Sequence, residues 1–535
     1  MRRIRSSIDT HAAEYRANLA HNRRLVDEFR QKQHAARFER PQRDLERLRR
    51  QGKLFVRERL DLLLDPGTPF LELSSLAANQ AYGGEVAGAA LVTGIGVVCG
   101  REVLVHANDS SIKGGAWYPL GVKKAVRALD IAIENRLPVV HLVDNAGAYL
   151  PLQAGIFPDR YMAGRIFRNQ CTLSRMGVEQ VAVVLGHCTA GGAYIPTLCE
   201  YSIMVRGTGG VFLGGPPLVR AATGEEVTAD ELGGADVHTR ISGTADYAVD
   251  TEEEGIALAR EIVGTFRRRE KTPVDRRDPE PPYYDPAELY GIIPRDGKKQ
   301  FDMREVIARI VDGSLFHEFK PTFGVTLVCG FAYIWGYKVG ILGNNGVLFS
   351  DSAQKATTFM EICDRDRTPL VFLQNITGFM IGREYEHRGI TKDGAKMLMV
   401  QSNVSVPKFT IMTNGSYGAG NYAMAGRSYD PRFLFSWPNS QISVMGLEQA
   451  ARTLTQLKVK TCAREGRELS PQEIEAIHRS IREEYEQKSG AYYATSELWD
   501  DGIIDPVDTR NALGMAISAA LNAPFGEPGL GVLRV

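Results

Sequence analysis

The chain reads as two tandem α/β domains related by internal duplication. Three observations carry that reading: a series of motifs that occurs twice in one order, an alternation of short apolar runs with helical segments, and a proline-rich break between the copies. At 535 residues the chain also exceeds one ordinary hydrophobic core, so two large domains are the starting count.

Residues 1–50 open with Met1-Arg2-Arg3-Ile4-Arg5, but Asp9, Glu14, Asp27 and Glu28 follow closely, unlike an acid-poor transit peptide. The segment is expected to be a charged helical arm with a solvated face, as in Arg43-Asp44-Leu45-Glu46-Arg47. Residues 51–270 form the first expected domain. Residues 271–300 come next as a linker, with Pro273, Pro279, Pro281, Pro282 and Pro286 making them too stiff and polar for a core. Residues 301–535 form the second domain, in which Ser470-Pro471-Gln472-Glu473 starts one of a pair of exposed helices.

The duplication can be followed block by block. Arg57-Glu58 through Asp65-Pro66-Gly67 to Glu72 is echoed by Arg304-Glu305 through Asp312-Gly313 to Glu318, and Gly94 to Asn108 by Gly330 to Asn344. A helical segment with Lys124 leads through Pro138 into a buried strand and Asp144-Asn145-Ala146-Gly147-Ala148. Its echo carries Lys355 and leads through Pro369 into Asn375-Ile376-Thr377-Gly378-Phe379. Val181 to Tyr194 is matched without a gap by Phe409 to Tyr422. The alternation implies right-handed βαβ crossovers and a largely parallel sheet in each half.

Composition narrows the function. With 64 basic and 64 acidic residues there is no global field for nucleic acid or an anionic membrane. No apolar run reaches the ~18 residues of a membrane span. The seven cysteines are scattered without a C-x-x-C pair, and the ten histidines stand apart. Neither pattern makes a metal site, and the cysteines read as reduced intracellular residues. Asn414-Gly415-Ser416-Tyr417-Gly418 departs from a nucleophile elbow at its first position, Gly94-Ile95-Gly96 precedes a strand, and no Walker A sequence occurs.

What remains is the pair of small-residue turns in each half. Glycines between a strand and a helix leave backbone N–H groups bare and able to bind anions. In the first half the pair is Ala146-Gly147-Ala148 with Ala190-Gly191-Gly192, and in the second it is Ile376-Thr377-Gly378-Phe379 with Gly418-Ala419-Gly420. Each half thus offers one oxyanion hole, in which a single donor is worth about 2.7–4 kcal/mol in a transition state. No Asp or Glu lies in either small-residue turn to act as a general base.

The stretches Lys113-Gly114-Gly115-Ala116-Trp117-Tyr118-Pro119, Cys188 to Tyr194, Leu213 to Val219, Ala222 to Val227, Leu232 to His238, Asn375 to Met380, Gly418 to Tyr422, Asp430 to Phe433 and Trp499 to Pro506 resemble the carboxyltransferase β subunits of biotin-dependent acyl-CoA carboxylases. The resemblance is strongest to 3-methylcrotonyl-CoA carboxylase and geranyl-CoA carboxylase, and runs from about Gly52 to the carboxyl terminus. It implies two crotonase-like domains of the ClpP/crotonase superfamily, with an acyl-CoA thioester in the first and carboxybiotin in the second. It further implies a site shared between two copies, a β6 ring in an α6β6 complex, and a biotin carboxylase and carrier α subunit, since this chain lacks the A-M-K-M biotin-acceptor sequence.

By position, Ala190, Gly191 and Gly192 would bind the thioester enolate, and Gly418, Ala419 and Gly420 the ureido oxygen of biotin. Lys113, Gly114, Gly115, Ala146, Gly147, Ala148 and Tyr149 fall on the substrate side, and Thr377, Gly378, Phe379, Tyr417 and Tyr422 on the biotin side. Lys113, Lys123 and Lys124 are candidates for the CoA phosphates. The expected acyl group is 3-methylcrotonyl, then geranyl, then propionyl, with a decarboxylase as the mechanistic rival. A bacterial cytoplasmic location is expected, ahead of the mitochondrial matrix.

Overall fold

The computed structural model describes residues 1–533. Arg2–Arg3 form a short strand, β1. The first half builds β2 (Leu71–Leu73), β3 (Leu91–Val98), β4 (Arg101–Asn108), β5 (Val139–Asn145), β6 (Gln180–Thr189), β7 (Tyr201–Val205), β8 (Gly210–Phe212) and β9 (Tyr247–Val249). They pair in the order β2-β3-β4-β5-β6-β7-β9, with β8 alongside β6. The second half repeats this with β10 (Leu315–Phe319), β11 (Leu327–Ile334), β12 (Tyr337–Asn344), β13 (Leu370–Ile376), β14 (Lys408–Tyr417), β15 (Phe433–Ser436) and β16 (Gln441–Ser443). Its order is β10-β11-β12-β13-β14-β15, with β16 beside β14 and β1 on the outer edge of β10.

Two sheets of the same plan, with helices packed on them, make this an internally duplicated α/β fold. Each sheet is largely parallel, as expected, with an antiparallel leading edge: among the described residues five of the seven strand pairings in the first sheet and four of the seven in the second are parallel. The leading strands pair antiparallel through tight turns at Cys99-Gly100 and Trp335-Gly336, and pairing becomes parallel from β4 to β9 and from β12 to β16. A two-residue turn needs no crossover helix, which is why the leading strands escape the βαβ rule.

Alternation explains the burial. Val103, Val105 and Ala107 face one layer with Leu60, Leu63 and Ile256, while Leu104 faces the other with Leu129 and Ile131. The crossover helix Pro119–Asn135 begins with proline at its first position and ends on Arg136 in the left-handed region, just before Leu137-Pro138 turns the chain into β5. The predicted capping box at Ser470 is present, its hydroxyl accepting from Glu473 N–H.

Two segments differ from expectation. The helix Ala13–Phe38 of the arm buries Asn18, Asn22, Val26 and Phe29. The Asn18 amide donates to Gly291 O, and the Asn22 amide to Tyr290 O and Ile293 O. Their acceptors lie in 271–300, where Leu289 and Tyr290 are buried. A side chain on Gly291 would come within 2.2 Å of the Tyr15 ring. The proline-rich stretch to Pro286 is largely exposed, but Leu289 to Ile293 are buried and form a docking seat for the arm.

Candidate active site

Both central strands run straight into a small-residue turn at their carboxyl ends. β6 leads into Ala190–Ala193 and β14 into Gly418–Ala423, and the first residue of each turn has a φ of 54°. No side chain caps either helical start, so the first N–H groups lack an intrahelical acceptor and stay available. Gly191 faces aromatic rings: a Cβ there would sit 3.4 Å from Trp117 and 3.6 Å from Phe167. Gly420 has a packing role instead, since its Cβ would come within 2.4 Å of Ile376.

The second component of each site forms from a matching bridge. Trp117 N–H donates to Gly147 O at 2.8 Å and Tyr149 N–H to Trp117 O at 2.9 Å; Leu348 N–H donates to Gly378 O and Met380 N–H to Leu348 O. In a parallel bridge of this kind the middle residue keeps its own N–H, here Ala148 and Phe379. The other N–H groups of the first turn are committed, Ala146 to Gly114 O and Gly147 to the Asn145 side chain. The expected three-residue donor thus reduces to Ala148. At Gly115, φ is 71° and a Cβ would lie 2.2 Å from Asp144 O, so only glycine fits.

Matching register shifts separate the strands just before these turns, between Val143 and Asn145 and between Gln374 and Ile376. Each shift lets β6 or β14 change partner near its end, to β8 and β16 respectively.

Charges around the first turn form a network that the sequence did not disclose. Asp144 accepts from Lys53 Nζ at 2.8 Å and Arg59 at 3.3 Å, and Arg59 binds Glu252 through two nitrogens. Burial pushes Asp144 up, but Arg59 and Lys53 outweigh it and hold the carboxyl below its ordinary value. The nearest carboxylate is therefore a fixed counter-ion and a poor proton acceptor. Gly186 makes room for it: a Cβ there would lie 1.8 Å from Asp144 Oδ1. Asn375 stands at the corresponding place in the second half and is bonded by the Asn414 side chain.

Of the three lysines proposed for CoA phosphates, Lys124 is excluded. It is buried and donates to Gly88 O at 3.0 Å and Leu91 O at 2.6 Å, and burial lowers it to about 7. Its echo, Lys355, donates likewise to Leu327 O. Lys123 donates to Glu497 O, and Lys113 pairs with Glu85 at the surface. Arginines of the arm line two cavities near the first turn. A cavity of about 490 Å³ beside Gly114 and Ala146 is lined by Arg47, Lys53, His187 and Thr189. A neighbouring one of about 620 Å³ is lined by Arg40, Arg43, Arg47, Arg50 and Lys113 together with Glu39, Asp44 and Glu85, of which Asp44 pairs with Arg47 and Glu85 with Lys113.

The second turn opens into a different environment. A mainly apolar cavity of about 540 Å³ is lined by Gly418, Ala419, Tyr422, Val444, Tyr485 and Trp499. A Cβ on Gly418 would come 2.9 Å from Val444 O, so the bare backbone leaves the cradle open. Tyr417 donates its hydroxyl to Gln441 at the rim, Thr377 is exposed, and Phe379 packs its ring on Gly394.

Two sheets of one plan thus each end in a strand-to-helix turn whose first N–H groups no side chain caps. Residues 47–528 match the family model for the carboxyl transferase domain, and the chain belongs to that family. It is 51% identical to a protein of Mycobacterium tuberculosis named biotin-dependent 3-methylcrotonyl-coenzyme A carboxylase beta1 subunit, over 96% of this chain and 97% of that one. It is 50% identical to the probable mitochondrial methylcrotonoyl-CoA carboxylase beta chain of Drosophila melanogaster, over 99% and 95%. The solved β subunit of Pseudomonas aeruginosa geranyl-CoA carboxylase superposes with a TM-score of 0.88 at 41% identity, covering 99% of both chains. The function is that of a carboxyltransferase β subunit, moving CO₂ from carboxybiotin to an acyl-CoA.

Proposed function

We propose that the acyl group is 3-methylcrotonyl, that each half is a crotonase-like domain, and that the first half holds the acyl-CoA while the second receives carboxybiotin from a separate α subunit. The observation that carries the acyl assignment is the pair of rings, Trp117 and Phe167, standing 3.4 Å and 3.6 Å from where a side chain on Gly191 would be. In this reading the two rings border the acyl group beside the turn, and bulky walls there favour a short branched group over a long prenyl chain. Geranyl-CoA is the second reading, supported by the likeness to the geranyl-CoA carboxylase subunit.

In this reading the N–H groups of the 190–192 turn and of Ala148 hold the thioester oxygen as negative charge develops on it. Arg43, Arg47 and Arg50, with Lys113, line the way in and meet the CoA phosphates. The N–H groups of Gly418, Ala419 and Phe379 hold the ureido oxygen, with Tyr422 and Val444 giving the ring an apolar wall. When bound, carboxybiotin supplies the carboxyl group and a ureido nitrogen able to take the substrate proton. This agrees with the lack of a free carboxylate at either turn.

Each turn is flanked by exposed apolar side chains, Leu150, Phe157 and Tyr161 by the first and Ile381 and Val444 by the second. Such flanks support a site completed between two copies, as in a β6 ring within an α6β6 assembly. The test is ATP-dependent bicarbonate fixation by this chain with its biotinylated α subunit, on 3-methylcrotonyl-, geranyl- and propionyl-CoA in parallel. Preference for 3-methylcrotonyl-CoA is expected. Preference for geranyl-CoA would overturn the acyl assignment, and fixation on none of the three would overturn the proposal.

A further inference from the structure

At the other end of the first sheet, where β4 and β5 begin, lies a third cavity of about 350 Å³. It is remote from the turns: β5 runs seven residues from Val139 to Asn145, which places the two ends roughly 20 Å apart. Its lining includes Arg101, Arg136, Arg267, Arg268, Arg269 and Lys271, with Glu102 as the one carboxylate. Three of these cations are committed. Arg101 donates to Val263 O and Gly264 O, Arg269 to Glu179, and Lys271 to Glu102 and Ser518. Arg136, Arg267 and Arg268 have no carboxylate within salt-bridge distance among the described residues. Arg269 Nη1 is buried with no hydrogen-bond partner.

The duplication supplies an internal comparison. Arg367 occupies the place of Arg136 in the second half: each is left-handed, with φ of 54° and 49°, and each lies two residues before the proline that enters the central strand. Arg367 spends its guanidinium on Ser405 Oγ at 3.0 Å and Gly526 O at 2.7 Å. Arg136 has no such partner, although the same backbone geometry holds it. A shared framework thus carries a self-satisfied arginine in one half and a free one, grouped with two more, in the other.

We infer that this cavity is an anion site for a small ligand bearing two or more phosphate groups, separate from both oxyanion turns. Guanidinium groups gathered without carboxylate partners around one concavity raise its positive potential even where Arg267 and Arg268 are exposed, and their planar forks match phosphate oxygens in pairs. The cavity also joins the first sheet, the 267–271 segment and Asn522 beyond the last helix, so a ligand there would clamp the two halves together.

The experiment titrates inorganic pyrophosphate into the full chain saturated with CoA, by calorimetry at constant ionic strength. Expected is saturable binding that weakens about tenfold in Arg136→Ala and again in Arg268→Glu, and is unchanged in Arg367→Ala. Thermal unfolding of each variant without ligand checks its fold, and Arg268→Glu, at an exposed position, keeps the test open if Arg136→Ala is unstable. No saturable binding, or binding equal in wild type and Arg268→Glu, overturns the inference.

Discussion

Ala190 and Gly418 hold the same left-handed backbone angle, φ 54°, at the first residue of the turn that ends the central strand of each half. The geometry is thus set by the fold and not by glycine, since alanine accepts it in one copy at a cost of about 1 kcal/mol. Exchanging the two should be asymmetric. Ala190→Gly is expected to change stability by less than about 1 kcal/mol. Gly418→Ala adds the same strain together with a contact 2.9 Å from Val444 O and should lower transfer from carboxybiotin. Urea unfolding and single-turnover transfer check both, and equal effects would contradict this asymmetry.

Removing a donor tests the anion role directly. Gly191→Pro and Ala419→Pro delete one N–H near the start of a helical turn, where that N–H has no intrahelical acceptor to lose. Each should reduce kcat by about 10²–10³, while the elution volume of the assembly stays unchanged. Unaltered turnover would sink the assignment of these turns.

The Lys53–Asp144–Arg59–Glu252 network depends on an absent side chain. Gly186→Ala places a methyl 1.8 Å from Asp144 Oδ1 and 2.5 Å from Lys53 Nζ, and must separate the buried pair. A loss of about 3–5 kcal/mol is expected, measured by denaturant unfolding. A loss below about 1 kcal/mol would show the network to be dispensable.

Adjacent acids near the carboxyl terminus titrate in opposite directions. Asp501 is pushed up by burial, but Arg127 and Arg427 outweigh this and hold it well below its ordinary value. Asp500 is raised by burial to about 6. For Asp500 the unfolded chain loses its proton first, so stability falls as pH rises from about 4 to 6; for Asp501 stability falls only as pH drops below about 4. Asp500→Asn should therefore stabilise the protein by up to about 3 kcal/mol at a pH of about 7.5 and give no gain at about pH 4. Melting temperatures at the two pH values decide it, and an equal gain at both would refute the linkage.

Much of the fold was legible because the duplication repeats its punctuation. Pro138 and Pro369, Gly147 and Gly378, and Ala190 and Gly418 each mark a backbone event, and backbone events survive when side chains diverge. The strand-to-helix turns at Ala190 and Gly418 were legible for the same reason. Contacts between distant segments were not. Lys124 was one of three lysines offered for the CoA phosphates, yet it points inward to Gly88 O and Leu91 O, which spacing cannot reveal. Arg47 was read as part of a solvated face, and only the docking of the arm brings it beside Gly114. Nor could Gly186 announce that its missing side chain shelters an ion pair.

The pairing of β1 with β10 imposes a schedule on synthesis. Arg3 emerges early, but its partner Gly313 lies 310 residues downstream. At about 5–20 residues per second, the strand waits roughly 15–60 s for its sheet to exist. The arm's seat on Tyr290 and Ile293 is made in the same late interval. The first half, which holds the arm through Arg37–Glu72 and Arg40–Asp109, must therefore fold before the seat for Asn18 and Asn22 exists. Docking of the long helix on that seat records that synthesis has passed Ile293, whereas Arg40 and Arg47 find their partners Asp109, Ser110 and Ser111 already in the first half.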